Sequence, residues 1–222
     1  MIQAVIFDID GTLVDSVDLH AECWKETFCQ FGIEAPFAQI RGQIGKGGDQ
    51  LLPVFMAEDD IKERGAEIEE YRSALFKRRY LPKVRPFPKV RELFKRLHND
   101  GVKIALASSA KRDEIGSYKK IAGIADLVDE ELSGDDVERS KPYPDIFQAA
   151  LGRLHQFSTD TVLAVGDSPY DAESAGKAGL RTIGVLCGGF TERDLLLAGC
   201  VALYRDPAEL LAAETLQMTR AD

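Results

Sequence analysis

Four segments place carboxylates, small hydroxyls or a lysine where an apolar run gives way to a turn or a helical pattern. The first is Phe7-Asp8-Ile9-Asp10-Gly11-Thr12-Leu13-Val14-Asp15-Ser16. Residues two apart in an extended chain point the same way, and Gly11 lets the chain turn at once, so Asp8 and Asp10 can serve one centre in different roles. A plain strand followed by an Asp-Gly turn has the same sequence. The second, Ala105-Leu106-Ala107-Ser108-Ser109-Ala110, sets hydroxyls at the end of another run, just before a helical pattern. A hydroxyl and the free N–H groups of a helix N-terminus make an anion pocket, and an N-capping Ser is the plainer alternative. In the third, Arg139-Ser140-Lys141-Pro142-Tyr143-Pro144-Asp145, Ser140 is expected to cap a helix that admits Pro142 in its first turn. Lys141 then stands at the positive end of the dipole, which suits a lysine only beside an anion; otherwise it is a solvated side chain. The fourth, Val162-Leu163-Ala164-Val165-Gly166-Asp167-Ser168-Pro169-Tyr170-Asp171, ends a strand on Asp167 and opens a helix at Ser168-Pro169. Together with Asp8, Asp167 can hold a hard cation such as Mg2+, which takes carboxylates and substrate phosphate as oxygen ligands. A surface Asp in a turn is the alternative.

Such residues converge only if their strands end on one edge. Short β-rich runs alternate with amphipathic helical patterns, which is the signature of a parallel sheet covered on both faces. Strands are expected at Ala4 to Phe7, Lys103 to Ala107, Thr161 to Val165 and Thr182 to Val185, with weaker candidates at Leu127 to Val128 and Val201 to Tyr204. Val90, Leu93, Phe94 and Leu97 repeat at helical spacing and stop at Asn99-Asp100-Gly101. Far more chain separates the first two strands than one crossover needs. Its patterns are helical, with His20, Trp24, Thr27 and Phe31 on one stripe and a charged stretch from Glu58 to Arg79; the three prolines between Leu81 and Lys89 mark the return linker. The expected fold is α/β: a doubly wound, mainly parallel, Rossmann-like sheet in residues 1–15 and 85–222, with a helical cap inserted at 16–84.

The chain has 222 residues, 45% hydrophobic and 29% charged, which suits one domain or one domain plus an insertion. At this length roughly 70% of the unfolded surface can be buried, so the fold needs no disulfide or structural metal. With a net charge of -9 and no Lys/Arg tract, nucleic acid and anionic membranes are excluded as partners. No apolar run approaches the ~20 residues of a membrane helix, and the opening Met-Ile-Gln-Ala-Val has no basic n-region for a signal peptide. Cys23, Cys29, Cys187 and Cys200 form no CxxC pair, so reduced thiols in a cytoplasmic, monomeric protein are expected, with Cys23 and Cys29 as small core residues.

In their order and conjunction, the four segments resemble the haloacid dehalogenase-like superfamily of phosphohydrolases. Its DxDGT segment is matched by Asp8 to Thr12, its hydroxyl motif by Ser108, its lysine motif by Lys141 in Ser-Lys-Pro-x-Pro-Asp, and its acidic motif by Gly166-Asp167-Ser168-x-x-Asp171. The helical insertion is similar to that family's type 1 cap. The resemblance implies that Asp8 is a nucleophile forming an aspartyl phosphate, and that Asp10 protonates the leaving alkoxide and then takes a proton from water. It implies Mg2+ on Asp8, the Asp10 carbonyl and Asp167, with Asp171 oriented nearby. Thr12, Ser108, Ser109 and Lys141 become phosphate-binding candidates.

Two cap features bear on the substrate, expected to be a small phosphorylated metabolite. His20 lies ten residues after Asp10, matching the hinge segment of β-phosphoglucomutase and its relatives, and a structural place on the helix stripe is equally open. Ile44-Gly45-Lys46-Gly47-Gly48-Asp49 is not a phosphate-binding P-loop, since no Ser or Thr follows its lysine; by resemblance Lys46 reaches into the cleft to meet an anionic substrate. A Mg2+-dependent phosphatase is expected, with a sugar phosphomutase as the alternative. Gly166 stands where that mutase carries a second acidic residue. Dehalogenation is disfavoured because Asp10 and Asp167 are both present, and a pure binding module has no use for the nucleophile.

Overall fold

A computed structural model describes residues 1–213. The strands in chain order are β1 (Ala4–Phe7), β2 (Val14–Asp15), β3 (Arg85–Pro86), β4 (Lys103–Ala107), β5 (Glu130–Leu132), β6 (Val162–Gly166), β7 (Arg181–Val185) and β8 (Cys200–Tyr204). The helices are α1 (Val17–Gln30), α2 (Phe37–Arg41), α3 (Gly48–Leu51), α4 (Glu58–Leu75), α5 (Val90–Asn99), α6 (Arg112–Ala122), α7 (Asp145–Arg153), α8 (Pro169–Lys177), α9 (Glu192–Leu197) and α10 (Pro207–Ala212). Six strands form one parallel sheet in the order β5-β4-β1-β6-β7-β8. The chain runs outward from β1 through β4 to β5, then returns to β1's other side at β6, so the order reverses at β1. In open α/β sheets ligands sit outside the carboxyl ends of the strands at such a reversal.

The sheet's two faces differ in side-chain size. Val5, Phe7, Ile104, Leu106, Leu163 and Val165 point to one face, where Leu93 and Phe94 of α5 and Tyr118 of α6 cover them. Ala4, Ile6, Ala105, Ala107, Val162 and Ala164 point to the other, under Phe147 of α7 and Ala175 of α8. This is the period-two alternation of a strand buried on both sides. The small face lets α7 and α8 lie close, which brings the starts of both helices toward the end of β1.

Two of the weaker expectations shift. Leu127 and Val128 are not a strand: they pack against the large-residue face from a loop, and the ladder beside β4 begins at Glu130, opposite Ala105. β5 is an edge strand, and its charged Glu130 and Glu131 hid it from an apolar pattern. Cys29 is exposed, unlike the core residue Cys23, because the two fall on different sides of α1; all four cysteines are free thiols.

The inserted helices α1 to α4 carry their own apolar cluster, with Val17, Ala21, Trp24, Phe28, Ile40, Leu51 and Ile68 buried together. The chain leaves the sheet through β2 and comes back through β3, and these two pair antiparallel, Val14 with Pro86 and Asp15 with Arg85. The proline-rich return is therefore half of a two-stranded ribbon. No helix among the described residues is long and apolar enough to cross a membrane. Ala105→Leu should overpack the small face and lose ~1–3 kcal/mol, whereas Leu106→Met on the large face should lose less than about 1.5 kcal/mol. Urea midpoints at unchanged m-value check the contrast.

Candidate active site

Because β1, β4 and β6 are parallel, the residues just beyond them, Asp8, Ser108 and Asp167, share one edge of the sheet. Asp8 and Asp167 are 5% and 2% exposed. Gly11, with φ +81°, turns the chain after Asp10, and a side chain there would collide with Asp167 and Val17; one at Gly188 would also strike Asp167. Backbone thus closes around that carboxylate from two sides.

Lys141 is wholly buried at the centre of this edge. Its ammonium donates to Asp8 Oδ1 at 2.5 Å and to the Ala107 carbonyl at 3.0 Å, and pairs with Asp171 Oδ1 at 2.7 Å. Burial alone would favour the neutral amine, but Asp171 and Asp8 together push its pKa up. Asp171 also accepts from the Ser168 backbone N–H (3.1 Å) and hydroxyl (2.6 Å), closing a capping box at the start of α8. Both Asp171 oxygens are thus engaged by the protein, which makes it the residue that aims Lys141. Thr12, expected at the phosphate, places its hydroxyl between Asp8 Oδ2 (3.1 Å) and Asp167 Oδ1 (3.2 Å).

Ser108 is buried, and its hydroxyl accepts the Ala110 N–H at 3.1 Å, leaving its own proton to donate. It does not cap a helix. β5 carries the sheet pairing on through the Ser108 N–H to Leu132 O, and α6 begins only at Arg112, whose N–H goes to Asp135. Nor does Ser140 cap one: α7 begins at Asp145, because Pro142 and Pro144 hold the residues before them out of helical conformation. Lys141 owes its place to buried carboxylates, not to a helix dipole.

Asp10 belongs to a separate network. Its Oδ1 accepts from Ser16 Oγ at 2.6 Å and lies 2.8 Å from His20 Nε2, and the same nitrogen lies 3.1 Å from Tyr118 OH. On the far side of the ring, Arg72 Nη2 meets His20 Nδ1. A guanidinium can only donate, so Nδ1 accepts and the Nε2 proton faces Asp10. His20 stacks on Phe76, with centroids 4.1 Å apart, and Arg72 lies over Trp24 and Phe76. Burial works against the Asp10 anion, but His20, Ser16 and Tyr118 more than offset it and hold this carboxyl at about 2. Asp8 moves the other way: burial and the charge of Asp171, against the pull of Lys141, raise it to about 7.

Above these groups the inserted segment meets the loops at the sheet's edge directly. Gly47 N–H donates to Ser140 Oγ (2.8 Å), Ser140 N–H and Oγ donate to Asp49 (3.0 and 2.5 Å), and Arg41 reaches Gly188 O (3.0 Å). Lys46 donates to Gln43 Oε1 at 2.6 Å, lies 4.6 Å above the Tyr170 ring, and lines the cavity together with Asp8, Asp10, His20 and Ser109.

A family model described as haloacid dehalogenase-like hydrolase matches residues 5–185. The chain belongs to this family. A phosphorylated carbohydrates phosphatase of Thermotoga maritima is 30% identical over 213 residues, covering 94% of this chain and 96% of that one. A phosphoglycolate phosphatase of Cereibacter sphaeroides is 33% identical over 192 residues, covering 80% of this chain and 82% of that protein. Among solved structures, a hydrolase from Pseudomonas syringae superposes with a TM-score of 0.85 at 27% identity, covering 95% of this chain and 96% of that one.

In this haloacid dehalogenase-like hydrolase, ligand atoms of Asp8, Asp167 and Asp171 lie within 4.8 Å of one another. Burial, then the charges of Asp171 and Asp8, drive Asp167 well above the usual carboxylate range. Three buried carboxylates against the single ammonium of Lys141 leave a charge deficit that a divalent oxygen-seeking cation matches. Asp171 is committed to Lys141 and the start of α8, which leaves Asp8 Oδ2 and Asp167, met on this side only by the neutral Thr12 hydroxyl, as the carboxylate oxygens open to a cation.

Sequence alone did not single out Ser16, Tyr118, Arg72 or Glu114, all of which contact Asp10's network or line the cavity. Ser16 carried a signal as the polar residue just before the His20 helix; the other three have none outside the folded chain. Asp167→Asn should raise the thermal midpoint of the metal-free protein by relieving like-charge burial, at roughly 2–4 °C per kcal/mol for this size, and should abolish the further rise that Mg2+ gives the parent. Thermal melts with and without Mg2+ check both parts.

Proposed function

We propose that this hydrolase is a Mg2+-dependent phosphatase of small phosphomonoesters that works through an aspartyl phosphate on Asp8. The observation that carries the reading is the pair of aspartates in opposite settings. Asp8 lies in the buried carboxylate cluster against Lys141, and Asp10, two residues on, is held in a polar network of its own. Paired carboxyls with opposed environments are how one site supplies a nucleophile and an acid-base group together. The similarity to two phosphatases supports the same chemistry. Residues 16–84 are taken as the cap that encloses the reaction.

Mg2+, held by Asp8, Asp167 and the Asp10 carbonyl, would neutralise charge on the transferring group and keep Asp8 ionised. Asp8 attacks phosphorus, and the oxygen–phosphorus bond to the leaving group breaks. Ser108 and Ser109 line the cavity beside Asp8 and meet the phosphoryl oxygens, and the Lys141 ammonium, buried behind Asp8, offsets their charge without lining the cavity itself. Asp10 gives its proton to the leaving oxygen, since the arriving phosphate dianion favours the protonated carboxyl. It then recovers a proton from the water that cleaves the acyl phosphate, and His20 keeps it aimed throughout. The sugar phosphomutase reading draws on the contact between His20 and Asp10. Against it, any side chain at Gly166 would run into Asp171, so the mutase's second acidic residue has no room here.

Release of inorganic phosphate from p-nitrophenyl phosphate, dependent on Mg2+, tests the reaction; conversion of a hexose 1-phosphate to its 6-phosphate without release would establish the mutase instead. Asp8→Asn should cost at least about a thousandfold in kcat/KM, ~4 kcal/mol, while the protein stays folded by circular dichroism. Asp10→Asn should slow single-turnover phosphorylation by an alkyl phosphate far more than by p-nitrophenyl phosphate, whose leaving group needs no proton; equal losses refute the acid role. Lys141→Ala should damage every substrate. Lys46→Ala should instead raise KM mainly for esters with a polar leaving group, because remote contacts position substrate without taking part in the displacement.

A further inference from the structure

A second chamber adjoins the catalytic cavity. The two share Trp24, Gly48, Arg72, Ser109, Ala110 and Glu114, and the second adds Glu69, Ser73 and Lys111. Each has a volume of about 80 Å3, room for roughly five to eight waters. Asp8 and Asp10 line only the first. With the reacting groups Asp8 and Asp10 in the first chamber, a leaving group of sugar size would extend toward the second.

Several polar atoms around that second chamber lack partners among the described residues. Glu114 of α6 is 2% exposed, forms no ion pair among the described residues, and has one hydrogen bond, from Ser73 Oγ at a long 3.4 Å. Glu69 of α4 has neither a hydrogen bond nor an ion pair among the described residues, and burial pushes its carboxyl up. Ser109 Oγ and Arg72 Nε are buried atoms without a hydrogen-bond partner among the described residues. Trp24 lines both chambers, with the Arg72 guanidinium 5.4 Å from its ring centroid. Unpartnered buried acceptors and donors are costly, and a ligand that completes them recovers that cost.

The chemistry of such a ligand follows from the signs on the wall. Glu114 and Glu69 repel a carboxylate, and Arg72 and Lys111 repel an ammonium. A hydroxyl suits both, donating to the glutamates and accepting from the cations, and the C–H face of a polyol packs on an indole. We propose that this chamber selects phosphomonoesters of sugar-sized polyols, with Glu114 and Glu69 reading the leaving-group hydroxyls, and discriminates against esters whose leaving group ends in a carboxylate. This selectivity rests on the phosphatase reading of the Asp8 site.

The test uses the full chain with Mg2+ and compares kcat/KM for hexose 1- and 6-phosphates, phosphoglycolate and p-nitrophenyl phosphate. The best hexose phosphate should exceed phosphoglycolate by about a hundredfold. Glu114→Gln and Glu69→Gln should each lower the ratio of hexose phosphate to p-nitrophenyl phosphate by about tenfold, and raise the ratio of phosphoglycolate to p-nitrophenyl phosphate. If Glu114→Gln fails to fold, the half-buried Glu69→Gln decides. Phosphoglycolate turned over as well as the hexose phosphates, or ratios unmoved by the substitutions, would overturn the selectivity while leaving the phosphatase in place. Absence of Mg2+-dependent hydrolysis of every ester would overturn the phosphatase reading itself.

Discussion

The arrangement depends on one buried ammonium. Lys141 ties together three elements that share no sequence neighbourhood: Asp8 at the end of β1, the Ala107 carbonyl at the end of β4, and Asp171 in the first turn of α8. Two carboxylates and a carbonyl surround its ammonium, which is the condition under which a buried charge is tolerable. Without that cation, three carboxylates would face one another away from water. The fold accepts the electrostatic strain because phosphoryl transfer gains from dipoles and charges already fixed in place.

Positioning of this quality comes from the sheet rather than from loops. Reversal of strand order at β1 opens a crevice between β4 and β6, and the alanine-rich face draws α7 and α8 toward it. α8 is fixed at its first turn by the Ser168–Asp171 capping box, so a local device for starting a helix also sets the angle of Asp171 toward Lys141. The acid-base half is built differently. Asp10 hangs from the start of α1 through Ser16 and His20, and His20 leans on Arg72 from α4, so this half is assembled by the inserted helices.

That division explains what was legible in the sequence. Asp8, Ser108, Lys141 and Asp167 follow strand ends or precede helix starts, and turn residues such as Gly11 and Pro169 mark those places in one dimension. Arg72 lies among Glu67, Glu69, Glu70 and Arg78, where every charge reads as a solvated face, and only the packing of α4 on α1 brings it to His20. Glu114 looks like an ordinary first-turn acid complementing a helix dipole until α6 is seen to turn it inward. Ser140 was legible as a polar residue before prolines, yet its partners Gly47 and Asp49 lie more than ninety positions away.

The short ribbon of β2 and β3 also bears on how such a protein diversifies. The inserted segment departs and returns at paired residues, so its two ends are about one strand spacing, ~5 Å, apart. Any other segment with ends at that separation can be spliced in without altering the path of β1, β4 or β6. Trp24, Lys46, Glu69 and Arg72 travel with such a cassette, and Asp8, Lys141 and Asp167 stay behind. Recombination at this one joint can therefore trade most of the surface that meets the leaving group while the nucleophile's half of the site stays in place, provided the new segment again supplies the support that His20 and Arg72 give Asp10.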